Sequence, residues 1–171
     1  MTPDNPKIRL AFYKLQKGDW FGWLIAKWTG LFNWNTPDYT HVEIAFLVDG
    51  EWWYYSSSTR NPDGTSGTRW VDEKTLLKNR DRWDVFVANP LRSQADMIKT
   101  CDEELGKGYD WLGICGFVTL FGQLNDKNKW YCSEICHYIF YGLWKKRTSP
   151  KHFFAGVREY IDAVLIPDII D

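Results

Sequence analysis

Residues 40–48 read THVEIAFLV, and they run through Asp49-Gly50 into EWWYYSSST at 51–59. Two runs of β-branched and aromatic residues around an Asp-Gly pair mark a tight hairpin, because that pair tolerates the positive φ angles such a turn needs. This commits the chain to an antiparallel sheet. Alternation puts Val42, Ile44 and Phe46 on one face and His41, Glu43 and Ala45 on the other. The apolar face serves a core, so His41 stands on the face the core does not need. With a two-residue turn, Val48 lies opposite Glu51, which sets Glu43 opposite Ser56 and His41 opposite Ser58. A three-residue turn shifts the register by one and brings Ser57 there instead.

The remaining pattern mixes helices with strands. KIRLAFYKL (7–15) predicts a first strand, followed by a turn at Lys17-Gly18-Asp19 and a helix, WFGWLIAKWTG, capped by Asp19 and ending at Gly30. A loop at Asn33–Asp38 precedes the hairpin, and a polar, Gly-rich loop at 59–69 follows it, long enough to border a site. Trp83 to Ala88 reads as a strand. A helix runs from Ser93, its cap, to Leu105, with Gly106-Lys107-Gly108 behind it. Helical segments are predicted at 111–121 and 130–144, and the apolar tail is broken by Pro167. No βαβα rhythm occurs, so the class is α+β. No repeat or linker divides the 171 residues, which predicts a single domain over 1–171.

Composition narrows the function classes. Lys and Arg number 21 against 22 Asp and Glu, so no basic field points to nucleic acid, and Trp144-Lys145-Lys146-Arg147 reads as a solvated helix end. Aromatics make up 18 %, with eleven Trp, favouring a rigid core and an aromatic-walled groove. The longest apolar stretch, Leu112–Gly122, is about half a membrane span, so no transmembrane segment is expected. MTPDNPKIRL lacks the features of a secretory signal. The expected compartment is the cytoplasm by default, with a viral origin or release by lysis as alternatives. The four cysteines then read as thiols rather than a disulfide framework.

Chemistry concentrates in WYCSEICHYIF, residues 130–140. A cysteine in the first turn of a helix gains from the positive end of the helix dipole and from free backbone N–H groups. Cys132, Cys136 and Ile139 fall on one helical face. Among the three histidines, His137 is rotated off that face and His152 lies in a connection, SPKHFF, without defined geometry. His41, on a stiff strand, is the candidate general base. Ser56 and Glu43 compete equally as the group orienting its imidazole. Glu43 shares the strand face but stands about 6.5–7 Å from His41 at the backbone, so it must bend to make contact. A metal site from Cys132, Cys136 and His137 with Cys101 or Cys115 lacks any Cys-x-x-Cys pair, so neither a metal nor another cofactor is expected.

The ordered set Gly18-Asp19, Thr40-His41-Val42-Glu43-Ile44, Gly108-Tyr109-Asp110 and Tyr131-Cys132-Ser133-Glu134-Ile135 resembles the circularly permuted branch of the NlpC/P60 superfamily, papain-like cysteine hydrolases of the YiiX/YaeF-like group. The resemblance spans roughly residues 7–150. It implies a permuted papain-like fold, a small antiparallel sheet or barrel packed against helices. It makes Cys132 the nucleophile, His41 the base and a residue near Ser56 the third member. Relatives often carry Glu, Gln, Asn or His at that third position; this chain offers serines. Tyr109, Asp110 and Glu134 match motif positions of structural use, and Tyr131, Tyr109 and Trp53 are expected to touch substrate. The implied activity is a peptidase or amidase, with a peptide or amide substrate that includes cell-wall peptide. Two other readings stand beside it. One is a lipid acyltransferase or thioesterase related to lecithin–retinol acyltransferase, with Trp20, Trp23, Trp28, Trp34, Trp52 and Trp53 near the acyl chain. The other is a binding module that kept the fold without catalysis.

Overall fold

The computed structural model describes residues 8–18, 38–110, 128–145 and 148–165. Its strands are β1 (Ile8–Lys14), β2 (Tyr39–Val48), β3 (Glu51–Ser58), β4 (Gly67–Asp72), β5 (Trp83–Ala88), the two-residue β6 (Gly108–Tyr109) and β7 (Lys129–Trp130), and β8 (Ile161–Leu165). Its helices are α1 (Glu73–Leu76), α2 (Gln94–Glu103), α3 (Cys132–Tyr141) and α4 (Pro150–Val157). Six strands form one sheet in the order β4-β3-β2-β1-β5-β8 with antiparallel neighbours, while β6 and β7 pair in parallel. The architecture is α+β: a mostly antiparallel sheet packed against four helices among the described residues.

The β2–β3 hairpin turns on two residues. Asp49 and Gly50 adopt φ of 52° and 84°, and the ladder runs from Val48 opposite Glu51 to Ile44 opposite Tyr55. The twist of such a turn matches that of the strands it joins. Its register leaves Ile8, Leu10, Phe12, Val42, Ile44 and Phe46 to the main core, with Ile135, Ile139 and Phe140 of α3 and Phe153, Phe154 and Val157 of α4. Phe12 sits at its centre, its ring centroid 4.9–6.1 Å from those of Tyr39, Phe86, Phe153 and Phe154. A smaller cluster (Ala11, Ala45, Tyr54, Leu77, Trp83, Val85) covers the opposite face. No described helix is long and apolar enough to cross a membrane.

Three expectations change. The loop read at 59–69 ends earlier, because Gly67–Asp72 forms β4 and pairs Arg69 with Ser56 and Thr68 with Ser57. The connection read at SPKHFF is α4, whose Ser149 accepts from the His152 N–H and whose first position is Pro150. The helix expected from Trp130 to Trp144 is shorter. Lys129 and Trp130 are drawn into pairing with β6, and Gly142 at φ 70° closes the other end. The start and cap of α2 are as the sequence predicts, with Ser93 accepting from the Asp96 N–H. The predicted helices at 20–30 and 111–121, the loop at 33–37 and Pro167 lie outside the described residues.

β4 is stitched to the segment that carries β6. Thr68 N–H donates to the Lys107 carbonyl at 2.9 Å and Gly106 N–H to the Thr68 carbonyl at 3.3 Å. The approach requires a glycine: Gly67 has φ 120°, and a Cβ there would stand 2.2 Å from the Lys107 carbonyl oxygen. Gly64 has φ 82° with open space around it. Gly67→Ala is therefore expected to lose about 2 kcal/mol or more in chemical denaturation, combining backbone strain with a main-chain clash. Gly64→Ala, with strain alone, should lose clearly less. Equal losses would place no weight on the β4–β6 contact.

Candidate active site

Helix α3 begins at Cys132. Its N-cap, Tyr131, is extended at φ −89°, ψ 149° and makes no side-chain capping bond. The first N–H groups of a helix have no acceptor within it, so the thiol sits beside the first-turn donors at the positive end of the dipole. Cys132, Cys136 and Ile139 are all fully buried, as their shared face predicts. The helix is held at both sides of this turn: Ser133 Oγ donates to the Thr148 carbonyl, and Cys136 Sγ approaches the Val42 carbonyl at 3.6 Å. Val42 follows His41, so the turn after Cys132 docks on the histidine strand.

There the expected partners meet. The Cys132 side chain lies within interaction range of the His41 ring, and among the influences that raise the imidazole its charge is the largest. Glu43 bends along its strand, and its Oε1 lies 2.6 Å from His41 Nε2. That contact leaves the other ring nitrogen for the thiol. Ser56, ranked equally with Glu43 from sequence, points elsewhere: its Oγ donates to the Val42 carbonyl at 2.7 Å. It braces β2 rather than orienting the imidazole. The Glu43 side chain is 0 % exposed and that of His41 22 %. The imidazole stands edge-on to Trp83, with centroids 6.1 Å apart.

A further residue, Arg69, completes the group. Its Nη1 donates to Glu43 Oε2 at 2.9 Å and its Nη2 to Glu43 Oε1 at 2.6 Å, while Nη1 also reaches the Ser56 carbonyl at 3.2 Å. Arg69 pairs with Ser56 across β4 and β3. The β2–β3 ladder ends at Ile44 opposite Tyr55, the neighbours of Glu43 and Ser56. Carboxylate, serine and guanidinium thus form a row across three strands, and the small serine, turned to the backbone, leaves room for Arg69 to reach over it. Sequence reading missed Arg69 because Gly67–Arg69 was assigned to a loop; read as a third strand in register, it falls in that row.

The charges respond to this packing. Burial pulls the His41 pKa down, but the Cys132 thiolate and the Glu43 carboxylate more than offset it and push the value up to about 9. Burial acts against the charged form of Glu43 too, yet Arg69 and His41 hold it down at about 2. Cys136 is raised well above its ordinary value, first by burial and then by the charges of Glu43 and Cys132.

Tyr109 and Tyr131 stand close to the thiol. Both are buried, their rings edge-to-face at 6.1 Å. Burial raises both hydroxyls, and the Cys132 charge is the next largest cause in each case. Asp110 and Glu134, buried nearby, act on Tyr109 in the same direction. Trp53 is not brought to the site. It pairs with Phe46, five residues along β2 from His41, or about 17 Å at strand rise. His137 Nδ1 lies 3.0 Å from the Leu143 carbonyl, and His152 Nδ1 lies 2.7 Å from Ser149 Oγ. No group of three His, Cys, Asp or Glu among the described residues is placed to hold a metal ion. Cys115 and Trp20, Trp23, Trp28 and Trp34 lie outside the described residues.

No protein-family model matches the chain, and no curated protein sequence matches it.

The raised His41 value has a definite sign. Its contribution to stability is complete below about pH 6.5 and is lost as pH rises through about 9. The Glu43 contribution is complete above about pH 4.5 and is lost as pH falls through about 2. Ring NMR of His41 should show a midpoint near 9, with Cys132→Ala moving it down toward 6.5. A wild-type midpoint at or below 6.5 would contradict the thiol and carboxylate contacts.

Proposed function

We propose that the chain is a cysteine-dependent amide hydrolase of the circularly permuted NlpC/P60 type, acting on peptide amides that include those of cell walls. The observation that carries this reading is the chain of side-chain contacts from Cys132 to His41 to Glu43 at the uncapped start of α3. The order in sequence, histidine strand before cysteine helix, accords with it, as does an antiparallel sheet against helices.

In the proposed reaction the Cys132 thiolate attacks the amide carbonyl, forming a C–S bond. The developing oxyanion accepts from the Cys132 backbone N–H. His41, protonated at neutral pH, gives its proton to the leaving nitrogen, the C–N bond breaks and the amine departs. The now neutral His41 takes a proton from water, which attacks the thioester. Release of the carboxylic acid restores thiolate and imidazolium. Glu43 keeps the ring oriented throughout. Of these three residues only His41 is partly exposed, so the scissile bond approaches alongside the imidazole, with Tyr109 and Tyr131 behind the thiol. The contact of Glu43 with His41 supports a catalytic reading over a non-catalytic binding module.

The test is alkylation by iodoacetamide at pH 7, read peptide by peptide. Cys132 should react faster than Cys101, whose pKa burial pushes up, and His41→Ala should slow it at least tenfold, or about 1.4 kcal/mol in activation free energy. A Cys132 that reacts no faster than Cys101 would overturn the hydrolase reading. Acyl-enzyme trapping with a peptide amide against a lipid ester then separates peptidase from acyltransferase: the peptide amide should load Cys132, and loading by the ester alone would reassign the substrate.

A further inference from the structure

We infer that Arg69 is a positioning residue whose charge allows Cys132 and Glu43 to be ionised together around one imidazolium. The inference rests on the hydrolase reading for its catalytic meaning, but its physical content is independent of it.

Charge must balance in a closed space. Glu43 is 0 % exposed and the Arg69 side chain 13 %. Cys132 is 0 % exposed, and Cys136, raised by its surroundings, adds no charge near neutral pH. The active form of a thiolate–imidazolium pair is already neutral. Adding the Glu43 carboxylate leaves one cation facing two anions in a site that water screens poorly. Such a site relieves itself by taking up a proton, and Cys132 returning to a thiol is one way to do so. Arg69 removes that need. Two positive charges, His41 and Arg69, then face two negative ones, Cys132 and Glu43.

The geometry fits this role. Arg69 grips both oxygens of Glu43, and Oε1 is shared with His41 Nε2, each contact at 2.6 Å. A carboxylate held this way is a poor base, so it orients His41 without accepting its proton. The proton is left for the leaving group. Among the described residues, the other groups around Cys132 do not supply the same balance. Tyr109 and Tyr131, whose hydroxyls burial and the Cys132 charge raise, and the carboxyl groups of Asp110 and Glu134 beside them bring no positive charge. Ser56 offers only its carbonyl to Arg69.

The experiment compares wild type, Arg69→Lys, Arg69→Gln and the double variant Glu43→Gln/Arg69→Gln, reading Cys132 alkylation at pH 7 and His41 protonation by ring NMR. Arg69→Gln should slow alkylation at least tenfold while His41 stays protonated at pH 7, because Glu43 now holds it alone. A merely structural role would instead release His41 toward its ordinary titration. Arg69→Lys keeps the charge and should stay within about threefold of wild type. The double variant removes one charge of each sign and should alkylate faster than Arg69→Gln. Wild-type reactivity in Arg69→Gln, or a double variant no faster than that single one, would overturn the inference. If Arg69→Gln does not fold, the double variant decides. A folded protein with reactive Cys132 supports charge balance, and an unfolded or inert one refutes it. Acyl-enzyme formation is scored separately: its absence with this alkylation pattern intact would count against the hydrolase reading alone.

Discussion

The carboxylate of Glu43 is withdrawn completely from water, and the site is organised around that fact. A buried carboxylate without partners would take up a proton. Here it is met by a guanidinium on both oxygens and an imidazole on one of them, 2.6 Å away. Each partner comes from a different place in the chain: His41 from two residues earlier on β2, Arg69 from β4 two strands away. The sheet must therefore be in register for the charge to be tolerated. Conversely, the charge penalises any slip of register, since a one-residue shift would turn Glu43 toward the apolar core.

That dependence explains why a two-residue turn far from the thiol matters to it. Asp49 and Gly50 fix β3 against β2, β3 fixes β4, and only then does Arg69 fall in the row that contains Ser56. The thiol arrives by a separate route. Apolar burial seats α3 against the core face of the sheet, and Cys136 places one turn of that helix against the Val42 carbonyl. Hydrophobic packing thus positions the nucleophile, while a polar row across three strands positions the base. The two meet at His41, which is where the protein keeps partial exposure.

Much of this was legible from local pattern. Strict alternation through His41 and Glu43, the Asp-Gly turn, the Ser93 cap and the shared face of Cys132 and Cys136 are short-range signals, and each describes the folded chain. The rest failed for separate reasons. Gly67–Arg69 reads as loop because its strand character comes from pairing with β3, and a contact with the Lys107 backbone forces a glycine on it. Ser149-Pro150 does carry a helix-start signal, a cap serine followed by proline at the first helical position, at the head of what reads as a connection. The choice between Ser56 and Glu43 could not be made locally at all. Cross-strand proximity favours both, and only the hydroxyl's bond to the Val42 carbonyl removes Ser56. Trp53 was misplaced for a simpler reason. Aromatic character says nothing about position along a strand, and Trp53 lies level with Phe46 rather than His41.

The four described helices start differently, and the difference bears on the thiol. Asp72, Ser93 and Ser149 each accept a hydrogen bond from a first-turn N–H of α1, α2 and α4. Such caps typically stabilise by about 1 kcal/mol. Helix α3 forgoes one, with Tyr131 at the cap position. A serine there would occupy an N–H that a thiolate or an oxyanion can use, and an aspartate would add a negative charge beside the sulfur. A tyrosine does neither, and its ring packs edge-on against Tyr109 to exclude water from the same spot. Stability lost at the cap is offset by the buried apolar face of α3 and by the αL turn at Gly142. The cysteine follows two aromatic residues because this helix begins buried and without a side-chain cap beside the sulfur.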